Sequence, residues 1–170
     1  MKRIALLAVL AAIAACGDDS PTNPSSGPIV FTSALSAANE VPPVTNADAN
    51  ARGSATITLT APRDSSGAVT GAGTMNFVIL LSGFPAGAVV RAAHIHPGAV
   101  GVNGTPLVDT KLTAANAVTL ADGTGTLSFS NIDVSQVDGQ AISSNPAGYY
   151  LNAHTVTNPG GAVRGQLVKQ

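Results

Sequence analysis

The amino-acid sequence predicts an all-β domain, a β-sandwich or Greek-key barrel, on the strength of two patterns. Apolar and polar residues alternate with a period of two, as in residues 55–60, Ala-Thr-Ile-Thr-Leu-Thr. Clusters of turn-forming residues separate such segments, for example at 64–67 and 158–161. Short alternating strands punctuated by turns are typical of antiparallel sheets that close around one core.

Four segments carry the alternation most clearly: 55–60, 75–81, 127–130 and 163–167. In the second of them Val78 and Leu80 are apolar as well, so we expect its other face to be partly covered. Residues 133–140 form the only stretch compatible with a helical turn. Residues 29–170 therefore form one domain in this prediction. A chain of that length buries roughly two-thirds of the surface it exposes when unfolded, enough for a core without disulfides.

The first fifteen residues have the pattern of an export signal. Lys2 and Arg3 precede an apolar run, residues 4–15, that ends in small residues. The run is too short for a spanning helix of roughly 20 residues. The following cysteine, Cys16, is the single cysteine of the chain and stands where a lipoprotein signal places the lipidated residue. We therefore expect cleavage before Cys16 and attachment of membrane lipid to its thiol.

Residues 16–28 are predicted to be a flexible, lipid-bearing tether, because Pro, Ser, Asn and Asp dominate them without any period. Removal of Lys2 and Arg3 with the signal leaves six basic residues against nine acidic ones, a net charge of −3. No basic cluster remains, which argues against nucleic acid as a partner. The expected location is the cell envelope, with the domain facing the periplasm or the exterior.

One segment of the sequence is echoed later in the chain. Residues 73–77, Gly-Thr-Met-Asn-Phe, match residues 125–129, Gly-Thr-Leu-Ser-Phe. A Pro-Ala-Gly triplet and then an Ala-His pair follow each copy, the pairs ending at His94 and His154. Two interpretations are open: a duplicated unit of strand, loop and strand, or chance similarity in a sequence rich in Gly, Ala and Thr. In a duplicated unit, His94 and His154 occupy related positions.

The domain has three histidines, and they are its candidate metal ligands. His94 and His96 are two residues apart, so on a strand both imidazoles project from the same face. His154 belongs to a later segment that could pair nearby. Three imidazoles suit Cu(II) or Zn(II), with a fourth position left for water. The alternative interpretation is that all three are ordinary polar residues of a strand face.

Other chemistry finds little support in the sequence. No nucleophile elbow and no phosphate-binding loop is present. The acidic residues are scattered, mostly at turns, and Glu40 is the one glutamate. A hydrolase with paired carboxylates needs two acids facing one cleft, and no local spacing indicates that. The sequence therefore leans away from an enzyme.

Three motifs resemble the CHRD domain, the module named for the repeats of chordin. They are residues 39–44 (Asn-Glu-Val-Pro-Pro-Val), 93–98 (Ala-His-Ile-His-Pro-Gly) and the segment from His154 to Gln166. They occur in the order of that family and span residues 31–167. The resemblance implies a β-sandwich of the immunoglobulin-like type for residues 29–170.

A fainter resemblance is to copper-zinc superoxide dismutase, which is also a Greek-key β-sandwich. In that family a His-x-His strand, a later copper-ligating His and an Arg near the C-terminus follow one another, as His94, His96, His154 and Arg164 do here. No histidine lies between His96 and His154, so the bridging ligand and the zinc site of that family are missing. Arg164 is either an anion-guiding residue, as the resemblance implies, or a structural one that hydrogen-bonds loop carbonyls.

Two functions follow from these patterns. The first is a membrane-anchored, non-enzymatic binding or structural module outside the cytoplasm, tethered through Cys16. The alternative is a copper- or zinc-binding protein that uses His94, His96 and His154. The second function requires the three imidazoles to meet at one point, whereas the first does not.

Overall fold

The computed structural model describes residues 27–170, and they form an almost entirely β structure with one short α-helix. The predicted signal peptide, Cys16 and most of the tether lie outside the described residues. The strands are β1 (Ile29–Ser36), β2 (Arg52–Thr60), β3 (Gly73–Ser82), β4 (Ala88–Pro97), β5 (Val108–Asp109), β6 (Val118–Leu120), β7 (Gly125–Val134), β8 (Tyr149–Thr155), β9 (Val163–Gln166) and β10 (Val168–Lys169); the helix is α1 (Gln136–Ser144). The predicted all-β class is confirmed.

All strand pairs are antiparallel and belong to one barrel-like sheet. The strand order is β5-β4-β8-β9-β1-β2-β3-β7, with β6 pairing to β4 and β10 to β1. Strands β1, β2 and β3 follow one another as neighbours, and β9 returns late in the chain to lie on the far side of β1. That placement is the spatial order of a Greek key.

The core follows the period of two that the sequence predicts. Ala55, Ile57 and Leu59 of β2 point inward, whereas the threonines between them are less buried. The same alternation holds along β3, where Met75 to Leu81 contribute every second side chain to the core. The expected cover over the other face of β3 is wrong, because Val78 and Leu80 are exposed at 44% and 52%. The outer face of β3 is therefore open to solvent at these two residues.

The outer face of β8 is different, because loops cover it. Every residue from Tyr150 to Thr155 is buried, so β8 has protein on both faces. Leu151 and Ala153 face the core, and Tyr150, Asn152 and His154 project to the opposite side. The sheet therefore has a polar, buried layer between its outer face and the loops, and the histidines lie in it.

Helix α1 begins three residues later than the sequence suggests. Asp133 and Val134 still pair with β3, so the chain leaves the sheet only at Ser135. The Ser135 side chain accepts a hydrogen bond from the Asp138 backbone N–H and caps the helix, which continues to Ser144. Among the described residues no helix is long and apolar enough to cross a membrane.

The two echoed segments face each other in the sheet. Phe77 of β3 pairs with Phe129 of β7, and Ala93 of β4 pairs with Ala153 of β8. Phe77 and Ala93 thus each lie opposite their own counterpart, as they would on a local two-fold axis. This symmetry favours a duplicated unit over chance similarity. It also places His94 and His154 diagonally across the Ala93–Ala153 pair, on one face of the sheet.

Candidate metal centre

The three histidines meet on the outer face of β4 and β8. A bulge in the β4–β8 pairing between Val90 and Ala92 changes the phase of β4, so that Ala93 and Ile95 face the core. His94 and His96 consequently face outward, next to His154 on the paired strand. The ring centroids are 5.0 Å apart for His94 and His154, 5.5 Å for His94 and His96, and 6.2 Å for His96 and His154.

Two backbone carbonyls determine which nitrogen of each buried ring is free. His96 Nδ1 lies 3.0 Å from the Gly104 carbonyl oxygen, and His154 Nδ1 lies 3.0 Å from that of Pro159. A carbonyl oxygen can only accept, so each Nδ1 carries the proton and each Nε2 carries a lone pair. Such outer hydrogen bonds fix the tautomer and ring orientation of metal-ligating histidines. The Nε2 atom of His96 is buried and has no hydrogen bond of standard geometry among residues 27–170, although the Asn152 side chain acts on the pKa of His96 as a hydrogen-bond partner.

The spacing of the nitrogens fits a shared ion. His94 Nδ1 lies 3.1 Å from His154 Nε2, and one nitrogen of each of the three rings lies within 4.8 Å of the others. Two nitrogens bound at about 2.0 Å in tetrahedral geometry are about 3.3 Å apart. The first pair already has about that spacing, and the third nitrogen would have to approach by up to about 1.5 Å to reach it. His94 Nε2 faces the Asp109 carboxylate at 3.7 Å.

The imidazoles are in the protonation state that binds metal. Burial lowers the pKa of all three rings, and the neighbouring His94 contributes further to lowering the pKa of His154, which falls to about 4. The Asp109 carboxylate opposes this effect at His94. Neutral imidazole is the ligating form, so the cluster does not need to lose a proton to accept a cation at neutral pH.

Arg164 is buried and packs against Tyr150, the residue that stacks on His96. Its side chain is 1% exposed, and its guanidinium lies 3.4 Å from the centre of the Tyr150 ring, which itself stacks on His96 at 4.9 Å. The guanidinium donates hydrogen bonds to the carbonyls of Ala99 and Val102 and to Asn103 Oδ1, at 2.7–3.0 Å. These contacts favour the structural role for Arg164 over the guiding of anions.

The loop that Arg164 holds also carries the carbonyl that orients His96. Gly104 accepts from His96 through its carbonyl and donates its N–H to the Tyr150 hydroxyl. A Cβ at Gly104 would clash with the Pro97 carbonyl, so only glycine lets the loop approach β4 this closely. The sequence alone did not point to Tyr150, Gly104 or Asp109 as partners of the site, since a lone aromatic, a loop glycine and a turn acid have no distinctive pattern.

Glu40 is a buried ionisable residue whose carboxyl interacts with Arg164. Its side chain is 6% exposed, and Oε1 has no hydrogen-bond partner among the described residues. Burial raises the pKa of this carboxyl to about 7, although the Arg164 charge and the Asn152 amide act in the opposite direction. Near neutral pH the fold therefore holds Glu40 partly protonated.

This shift predicts a pH-dependent contribution to stability. The folded pKa of Glu40 lies above its ordinary value of 4.5, so the folded state binds the proton more tightly than the unfolded state. The contribution is complete below about pH 4.5 and is lost as the pH rises through about 7; it is worth about 3 kcal/mol. We expect Glu40→Gln to match the wild type in urea unfolding at pH 4.5 and to be more stable at pH 8. A constant difference between the two proteins at both pH values would contradict the prediction.

The comparison with known families agrees with the motifs. A sequence model described as the CHRD domain matches residues 31–167. The chain has no significant match among curated proteins or among solved structures. The matched range extends from the third residue of β1 to the residue after β9, and it contains the whole histidine cluster with the loops that cover it. The chain therefore belongs to the CHRD family.

Proposed function

We propose that this protein is a membrane-anchored, extracytoplasmic CHRD-domain module that binds one Cu(II) or Zn(II) ion through His94, His96 and His154. The single observation that carries the proposal is the convergence of the three rings in a buried layer. Carbonyl hydrogen bonds turn the Nε2 lone pairs of His96 and His154 toward the cluster, where that of His154 accepts from His94 Nδ1 at 3.1 Å. Buried polar atoms are normally hydrogen-bonded, so the buried Nε2 of His96, which lacks such a bond, supports a ligand at this point.

The proposed role is binding and not catalysis. The family match and the carbonyl-fixed rings support a module that holds a metal for storage or delivery, or in a structural role. Cu(II) is expected to bind more tightly than Zn(II), because affinity for nitrogen ligands rises to Cu(II) and then falls. Partial burial of the rings limits the exchange of the bound ion with solvent.

The stoichiometry of metal binding tests the proposal. The full chain, purified in detergent without a histidine tag, is loaded with Cu(II) or Zn(II), washed with a weak chelator such as glycine, and analysed for metal by mass spectrometry. One ion per chain is expected for each metal, since the described residues offer one such cluster. Less than about 0.1 ion per chain after the wash would refute the proposed site, because three imidazoles should outcompete a weak chelator.

Anchoring through Cys16 is the second part of the proposal, and its support is the sequence pattern before that residue. Cys16→Ala is expected to leave the signal uncleaved at this site or to release the domain from membranes, because no other thiol can take the lipid. Membrane fractionation and mass spectrometry of the mature N-terminus measure both outcomes. A wild-type protein recovered as a soluble species with an unmodified Cys16 would contradict the anchor.

A further inference from the structure

The described cluster provides three ligands and no more. Within residues 27–170 no fourth His, Cys, Asp or Glu joins His94, His96 and His154. Divalent ions with three protein ligands keep a fourth coordination position for water or another small molecule. All three ligands are neutral imidazoles, so the bound ion would keep its full charge of +2.

The charged groups around the cluster do not neutralise that ion. The groups that act on the pKa values of the three rings include three cations, Arg91 near His154, Lys111 near His94 and Arg164 near His96, and one carboxylate, Asp109. Asp109 is itself shared with Lys111, whose Nζ lies 3.7 Å from its Oδ2. Arg164 in turn interacts with the Glu40 carboxyl, which is partly protonated near neutral pH. The three cations thus outnumber the two carboxylates, although the chain after cleavage would carry a net charge of −3.

His94 is the most exposed of the three ligands. The His96 and His154 residues are 4% and 8% exposed, whereas the His94 side chain is 17% exposed. Lys111 and Arg91 are exposed side chains, so their charges are available to a solute that approaches from outside.

From these observations we infer that the metal-loaded centre binds a small monovalent anion at its fourth position, with Lys111 and Arg91 attracting it. This inference rests on the proposed metal site. In the binding step a water molecule leaves the ion and the anion donates a lone pair in its place, with no change in oxidation state. A neutral solute of the same size lacks the attraction of Lys111 and Arg91.

Azide is a suitable probe because it is small, monovalent and gives a charge-transfer absorption band when it binds Cu(II). The full chain in detergent is loaded with Cu(II), its copper content is measured, and azide is titrated at constant ionic strength. We expect a band that saturates at one azide per copper and weakens as salt increases, since exposed charges are screened.

Two variants separate attraction by the exposed cations from simple coordination. Lys111→Gln is expected to raise the azide Kd by about threefold, in keeping with the modest effect of one exposed charge. Lys169→Gln, which removes a lysine on the distant strand β10, is the matched control and should leave the Kd unchanged. Both variants should retain the copper content of the wild type.

The outcomes are distinct. A protein that fails to retain copper would overturn the proposed metal site and this inference with it. Retained copper without an azide band, or azide that strips the copper from the protein, would overturn the anion site alone. An unchanged Kd in Lys111→Gln would show that the cation does not attract the anion and would overturn that part of the inference.

Discussion

Replacing His154 by glutamine is expected to lower the affinity of the protein for Cu(II) by more than about 100-fold, because loss of even an outer partner of a metal site costs about 10- to 100-fold. His154 Nε2 lies 3.1 Å from His94 Nδ1, and the Pro159 carbonyl holds it there. Without it, His94 and His96 form a two-ligand site on one strand. Competition with a chromophoric chelator measures the affinity directly.

A graded series makes this result specific to the cluster. Asp109→Asn removes the carboxylate facing His94 Nε2 at 3.7 Å but no ligand. Its expected effect is about tenfold, the lower end for an outer partner, because 3.7 Å is too long for a direct hydrogen bond. Lys169→Gln, far from the centre, should have no effect. Far-ultraviolet circular dichroism shows whether each variant is folded. A folded His154→Gln protein with wild-type affinity would end the three-histidine hypothesis.

Replacing Arg164 by alanine is expected to destabilise the fold by about 3 kcal/mol, since it removes the buried guanidinium and leaves its hydrogen-bond acceptors unpaired. The guanidinium is the shared donor for Ala99, Val102 and Asn103, and it also stacks on Tyr150. A loss of this size lowers the melting temperature of a domain of this length by about 10 °C. Thermal unfolding followed by circular dichroism gives the value.

The matched control is Arg52→Ala, which removes an exposed arginine of β2 and should change stability by less than about 0.5 kcal/mol. Arg164 binds no metal, so the folded fraction of Arg164→Ala should keep one Cu(II) per chain. Its affinity should fall by less than about tenfold, because the loop that presents the Gly104 carbonyl to His96 becomes looser. A melting temperature within about 2 °C of the wild type would show that Arg164 is not a structural anchor.

The strands were predictable because their side chains obey a local rule. A strand with one face on a core must alternate, and residues 55–60 and 75–81 do so in both sequence and structure. The start of α1 was less predictable, since Asp133 and Val134 stay in the sheet through their pairing with β3. That pairing depends on residues about sixty positions away, which no local pattern contains.

The site was predictable in its residues but not in its partners. The His-x-His spacing places His94 and His96 on one face of any strand, whatever the rest of the chain does. His154 lies beside them because β4 pairs with β8 and because the pairing has a bulge at Val90. The carbonyls of Gly104 and Pro159 belong to loops, whose backbone hydrogen bonds leave no trace in the identity of the residues.

By itself the sequence determined the all-β class, the family motifs and the three histidines, because each depends on residue type and short-range spacing. It left Arg164 between two roles, and tertiary structure favoured one of them. The residues next to Arg164 in the sequence are compatible with a guanidinium in solvent and with one buried under a loop. Only the packing of residues 98–104 over β9 buries it and surrounds it with carbonyl acceptors. A buried charge needs such partners, and they come from a part of the chain more than sixty residues away.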